Sequence, residues 1–191
     1  RNIKSPTYSE KGLMNLLSVK LLMRNKPGHM NPKNSTYVIN CITQAAELCI
    51  NKDASAMVTG PISKSILNDA GYKISGHTEF LADICKSKSL MVLMNNKMRI
   101  ALHTTHLQLQ DVTKEITKPK LKQTISLLYS EMKHKFKILN PKILVTGLNP
   151  HAGENGLLGS HDKKVIHPVI QDFKKKKINI DGPVAADTAF L

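Results

Sequence analysis

NPKILVTGLNPHAGENG (residues 140–156) carries the pattern that decides the fold class. Asn140-Pro141 breaks what precedes it, because a proline bars the residue before it from helical geometry. Ile143 to Thr146 is then a short apolar run, and it reads as a strand. A loop rich in Gly, Asn and Pro follows and carries His151. The same unit recurs along the chain. Strands are read at 56–59, closed by Gly60-Pro61; at 90–94 and 99–102, joined by a turn at Asn95-Asn96; and at 178–180, before Gly182-Pro183. Helices are read between them. The first starts at Asn34, with Asn34 or Ser35 as cap and Val38, Ile42, Ala45 and Cys49 on one face. A short one covers 62–69 and ends at Gly71, and another continues over 80–85. A long one covers 119–135 on the stripe Leu121, Ile125, Leu128 and Met132. The last follows Asp162, read as its cap, and turns Val165, Ile166, Val169, Ile170 and Phe173 inward. This alternation predicts an α/β fold, an α/β/α sandwich with a largely parallel sheet and helices on both faces. No repeat or low-complexity linker interrupts it. Residues 1–191 are therefore read as one partial catalytic region with no internal boundary.

Composition narrows the function classes. The chain has 191 residues, no Trp, and four each of Phe and Tyr, so its core rests on aliphatic side chains. No segment approaches the roughly 20 apolar residues of a membrane span. Residues 13–23 do not form a signal peptide, since Asn15, Ser18 and Lys20 interrupt them and no small-residue cleavage site follows. The chain opens on Arg1, which reads as a trimmed start, and Ser5-Pro6 is a loop signal. Cys41, Cys49 and Cys85 are odd in number and lack metal spacing, which points to buried, reduced thiols and a cytoplasmic setting. The net charge is +14, but only three of the 28 basic residues are Arg. Base and phosphate readers favour Arg and stacking aromatics. The charge is read as a lysine-covered surface that can attract an anionic substrate, with no membrane and no nucleic-acid partner.

Three further phrases resemble the strand-and-loop unit of the opening. SGHTEF (75–80) and HTTHLQL (103–109) each place histidines near strand ends, and GPVAADTAF (182–190) places Asp187 in similar company. Ligands of open α/β sheets bind beyond the carboxyl ends of the strands. His106 and His151 are therefore candidate ligands of a divalent metal, with His103 assigned to the end of its strand. A catalytic metal normally takes three protein ligands, and no third is evident. His29, His134, His161 and His167 read as surface residues. In GHTE, Thr78 can cap the helix with Glu79 in its first turn, so that the helix start, His77 and Thr78 face an anion. Lys64 of TGPISK is a second anion contact. No G-x-G-x-x-G and no P-loop is present, so no residue is assigned to a cofactor.

Taken together, VTGPISK (58–64), NDAG (68–71), GHTEF (76–80), TTHLQL (104–109), LNPHAGE (148–154) and GPVAADTAF (182–190) resemble the 4-hydroxythreonine-4-phosphate dehydrogenase family over residues 34–191. The resemblance implies the isocitrate/isopropylmalate dehydrogenase-like fold and a two-domain enzyme only partly covered by this chain. It implies NAD-dependent, metal-assisted oxidation of 4-phosphooxy-L-threonine and decarboxylation to 3-amino-2-oxopropyl phosphate, in pyridoxal 5'-phosphate synthesis. The metal would be Zn, Mg or Co. His106 and His151 would bind it, His77 and Thr78 would bind the phosphorylated substrate, and Asp187 and Lys64 would be catalytic. The family is a homodimer with its active site at the subunit boundary.

Departures from the family pattern carry expectations of their own. Gln108 stands where the family has Pro, a change expected to be tolerated. Gly159-Ser160-His161-Asp162 replaces a glycine and acidic stretch and is expected to weaken an interaction near the site. The family's opening PGEPAGIGPE-like loop and its YHDQG segment, whose histidine is the third metal ligand, are not among these residues. These 191 residues alone are therefore expected to bind metal weakly and to show no turnover. Two other readings stay open: a paralogue acting on a threonate or erythronate 4-phosphate, and an inactive fragment or polyanion-binding domain.

Overall fold

The computed structural model describes residues 11–12, 14–74 and 76–190. Ser5-Pro6 and Ser75, the first residue of SGHTEF, lie outside the described residues. The chain forms two compact units, residues 1–89 and 90–191, a division left undrawn by the sequence.

The first unit holds α1 (Ser35–Ile50), α2 (Lys64–Asp69) and α3 (His77–Ile84). Ile42 and Ala46 are the buried apolar residues of α1; of the predicted face only Ile42 is buried, while Val38, Ala45 and Cys49 are half-buried. Neither predicted cap acts as one. Asn34 holds Met23 through both ends of its amide, accepting from the Met23 N–H at 2.9 Å and donating to its carbonyl at 3.0 Å. Ser35 is buried and donates to the Ile66 carbonyl at 3.4 Å. Residues 56–59, predicted as a strand, are irregular, and Val58 is 98% exposed. A strand needs a neighbour to take its N–H and C=O groups, and none pairs with this segment among the described residues.

The second unit holds β1 (Val92–Met94), β2 (Arg99–Ala101), α4 (Leu109–Glu115), α5 (Lys118–His134), β3 (Ile143–Thr146), α6 (His167–Lys175) and β4 (Ile180–Val184). β1 and β2 form an antiparallel hairpin, and its predicted turn is held by Asn95 Oδ1 accepting from the N–H groups of Lys97 and Met98. β3 and β4 pair in parallel. Parallel pairing is thus found at β3–β4, while the hairpin is antiparallel because the four residues between β1 and β2 are too few for the crossover that parallel strands need. The core joins Leu121 and Ile125 of α5, Ile143 of β3, Val169, Ile170 and Phe173 of α6, and Ile180 of β4. These and Ile166 make up most of both predicted helical stripes, with Leu128 and Val165 half-buried against them and Met132 buried outside this cluster. Thr117 caps α5 by accepting from the Lys120 N–H. Asp162 caps nothing: it opens a π-helical turn, Asp162–Ile166, that runs into α6. Lysines occupy exposed faces, several beside acids, as in Lys135–Glu131 at 2.8 Å and Lys174–Asp181 at 2.7 Å. The three cysteines are free thiols, but none is buried as expected: Cys41 and Cys49 are half-buried and Cys85 is exposed. Among the described residues no helix is long and apolar enough to cross a membrane.

Candidate active site

The exit of β3 is too crowded for any side chain at Gly147. A Cβ there would lie 2.7 Å from Ala152 Cα and 2.9 Å from Asp162 Oδ1. Beyond Pro150, five successive residues from His151 to Asn155 take left-handed backbone, with φ of 52, 52, 80, 42 and 56°. Only Gly153 among them is free of the Cβ clash that disfavours this region. Such runs persist where the surroundings over-determine them, and they gather where a loop must aim a side chain. Here the run leaves the His151 imidazole exposed.

His106, on the irregular segment between β2 and α4, is also exposed and left-handed, at φ 57°. Of the eight histidines in the chain, only His106 and His151 have positive φ. His103 behaves differently and is half-buried. Its Nδ1 lies 2.9 Å from Thr124 Oγ1 on α5, and that hydroxyl donates to the Lys120 carbonyl at 3.2 Å. With the hydroxyl proton used there, the neutral ring must donate from Nδ1, which leaves Nε2 as a bare acceptor. That Nε2 is buried and has no partner. Burial pushes the His103 pKa below the ordinary histidine value, against the pull of Glu115 and with the help of Lys120. The unfolded chain therefore binds a proton that the native chain refuses. Stability from this group is complete above about pH 6.5 and falls as the pH drops below that. With chelator present, the urea midpoint should decline from pH 7 to pH 5, and His103→Asn, which can keep a donor to Thr124, should flatten that decline. An unchanged slope would remove His103 as its source.

Parallel pairing brings the following loops of β3 and β4 out at one edge, where the Gly147 N–H donates to the Val184 carbonyl at 2.8 Å. Asp187 is exposed, three residues beyond β4. A cavity of about 680 Å³ in this unit is lined by His103 and Thr104, by Gly147 and Leu148, and by Ala189 and Phe190. Three of the four sequence phrases thus meet at one cavity, although His106, His151 and Asp187 are not part of its lining. Among the described residues no three His, Cys, Asp or Glu side chains form a metal set. His106 and His151 offer two imidazoles, a donor type that suits a borderline divalent ion.

In the first unit, Lys64 opens α2 and His77 opens α3. Gly76 is the N-cap of α3 and offers no side-chain oxygen; Thr78, predicted as the cap, lies in the first turn and is exposed. A Cβ at Gly76 would lie 3.2 Å from Glu79 Oε2 and 3.5 Å from Lys64 Nζ, so both charged groups flank the helix start. His77 Nε2 is buried without a partner. A positive helix end beside an ammonium favours an anion, and here the Glu79 carboxylate is the negative group that stands beside both.

Sequence reasoning missed two residues that hold the second unit's loops. Asp162 is 1% exposed, and its carboxylate accepts from the Leu148 N–H at 2.7 Å, the Asn149 N–H at 3.3 Å and Asn149 Nδ2 at 2.7 Å. His161, read as a surface residue, is half-buried with Nε2 2.7 Å from the Ile116 carbonyl. Two residues of the 159–162 stretch thus hydrogen-bond to the loop before His151 and to the end of α4. An acid before an apolar helix looks the same in sequence whether it caps that helix or clamps another loop.

A family model described as pyridoxal phosphate biosynthetic protein PdxA matches residues 1–191. A protein of Wigglesworthia glossinidia brevipalpis named 4-hydroxythreonine-4-phosphate dehydrogenase is 43% identical over 188 residues, 97% of this chain and 56% of its own length. One of the same name from Marinobacter nauticus is 44% identical over 164 residues, 85% of this chain and 49% of its own. Crystal structures of 4-hydroxythreonine-4-phosphate dehydrogenases from Klebsiella pneumoniae and Burkholderia phymatum align at 30% identity with TM-scores of 0.79 and 0.80. They cover 87% and 99% of this chain and 50% and 58% of their own. The chain spans about half the length of the curated relatives it matches. The α/β class and the isocitrate/isopropylmalate dehydrogenase-like fold follow from these structural relatives.

Proposed function

The chain belongs to the pyridoxal phosphate biosynthetic protein PdxA family, and on that premise we propose that it serves an NAD-dependent, divalent-metal-assisted dehydrogenase of 4-phosphooxy-L-threonine. The C–H of the secondary alcohol leaves as hydride to the nicotinamide and the O–H proton passes to a base. The resulting β-keto acid then loses carbon dioxide to give 3-amino-2-oxopropyl phosphate. The observation that carries this reading is that the two histidines matching the family's metal phrases, His106 and His151, alone among the eight take left-handed backbone and stand exposed.

His106 and His151 would hold the ion, which when bound acidifies the alcohol and polarises the ketone. Asp187, in the loop after β4, is assigned the alcohol proton. Lys64, His77 and Thr78, around the start of α3, are assigned the anionic part of the substrate. No residue of this chain is assigned to the nicotinamide, whose chemistry needs orientation more than side-chain catalysis. The same reading carries Zn, Mg or Co as the metal, a homodimer, and a cytoplasmic setting.

The test uses full-length protein with 4-phosphooxy-L-threonine, NAD and a divalent metal, reading NADH and released carbon dioxide. Reduction with threonate or erythronate 4-phosphate but not with 4-phosphooxy-L-threonine would reassign the substrate. In the same assay Lys64→Met is expected to raise the substrate KM about tenfold, the loss of one charge contact worth about 1.4 kcal/mol. An unchanged KM would take Lys64 out of the anion site.

A further inference from the structure

We propose that Asp162 is the positioning residue of the metal site, its carboxylate setting the direction of the His151 imidazole through the backbone of Leu148 and Asn149. The proposal rests on the reading of His151 as a metal ligand. A buried carboxylate is costly unless its oxygens are hydrogen-bonded. Asp162 accepts three hydrogen bonds from the two residues just before Pro150-His151: Leu148 N–H to Oδ1, and Asn149 N–H and Nδ2 to Oδ2.

The loop is also wrapped tightly around this group. A Cβ at Gly147 would lie 2.9 Å from Oδ1, and one at Gly153 would lie 3.2 Å from Oδ2. The glycines on either side of His151 are thus the places where the chain passes closest to the carboxylate. The left-handed segment, residues 151–155, surrounds the second of these glycines, and its Ala152 and Glu154 have no intrinsic preference for that backbone. Something outside the segment must fix it, and Asp162 contacts both its approach and its middle.

Asp162 also opens the π-helical turn, a feature that appears often at functional sites. Two neighbouring side chains at its start have different partners. His161 reaches the Ile116 carbonyl beyond α4, while Asp162 reaches the loop after β3. One short turn therefore holds the loop of His151 and the far end of the helix that follows His106.

A merely structural clamp would change stability alone, whereas a positioning residue also changes the metal. The test is made on full-length protein, well below its unfolding temperature, with Co²⁺ as the probe. Affinity is read by titration calorimetry and ligand geometry by the visible absorption of the bound ion. Asp162→Asn keeps the shape but turns an amide donor toward N–H donors. It is expected to weaken the Co²⁺ Kd by about 10- to 100-fold, as loss of outer-shell support does, and to alter the spectrum. Asn149→Ala removes one 2.7 Å bond and keeps the acid, so it is expected to act in the same direction but less, and it stands in if Asp162→Asn does not fold. His151→Gln is expected to abolish binding at this site. Abolished binding in His151→Gln with wild-type Kd and spectrum in folded Asp162→Asn, or in Asn149→Ala, overturns the proposal. Wild-type Kd in His151→Gln instead overturns the metal reading of His151 on which it rests.

Discussion

Replacing His151 with alanine is expected to lower kcat/KM of the full-length enzyme by about 10³-fold or more, because a metal supplies several kcal/mol of charge stabilisation and each 1.36 kcal/mol is tenfold in rate. His106→Ala should do the same. The double variant should be little worse than either, since residues acting as one unit are not additive. The argument is geometric as well as chemical. His151 is carried by five left-handed residues, a conformation that a plain surface loop would relax by taking glycine or a right-handed turn. His134, exposed at the end of α5, is the control, and His134→Ala should leave kcat/KM unchanged. Near wild-type turnover in His106→Ala and His151→Ala would remove both from the reaction.

The largest stability effect should come from Gly182→Ala, which is expected to destabilise the second unit by about 3 kcal/mol or more. Gly182 has φ +121°, and a Cβ there would lie 2.2 Å from the Val145 carbonyl oxygen and 3.1 Å from its carbon. Backbone cannot move aside as a flexible side chain can. The pairing of β3 with β4 is already irregular between Leu144 and Thr146, opposite this residue. Any retreat of β3 would open the core at Ile143 and Ile180, both buried. Gly156→Ala is the matched comparison. It has φ +106° but open space around it, so it should cost only the backbone strain, about 1–2 kcal/mol. Equal urea midpoints for the two variants would mean that the strands absorb the overlap.

The helices were legible wherever one face met the core. Leu121, Ile125 and Met132 of one predicted stripe and Ile166, Val169, Ile170 and Phe173 of the other are buried, while Leu128 and Val165 are half-buried at their edges. The strand 143–146 was legible because Pro141 and Gly147 bound it on both sides. Residues 56–59 have the composition of a strand and no strand geometry, since pairing is a property of the neighbour and not of the segment. The short helix 109–115 went unread because it lacks a buried residue to mark its face.

The same limit runs through the candidate site. His77, Thr78, His106, His151, Lys64 and Asp187 could be picked from phrases whose residue types fit anion or metal chemistry. That choice needs only side-chain identity and the spacing of short motifs, which a sequence contains in full. It could not say that Asp162 turns back to Leu148 and Asn149, that His161 reaches Ile116, or that His103 is fixed by Thr124 with a bare Nε2. Those bonds join residues 14, 45 and 21 positions apart. The direction of a short polar side chain depends on which backbone groups the packed core leaves unpaired beside it, and only the tertiary structure decides that.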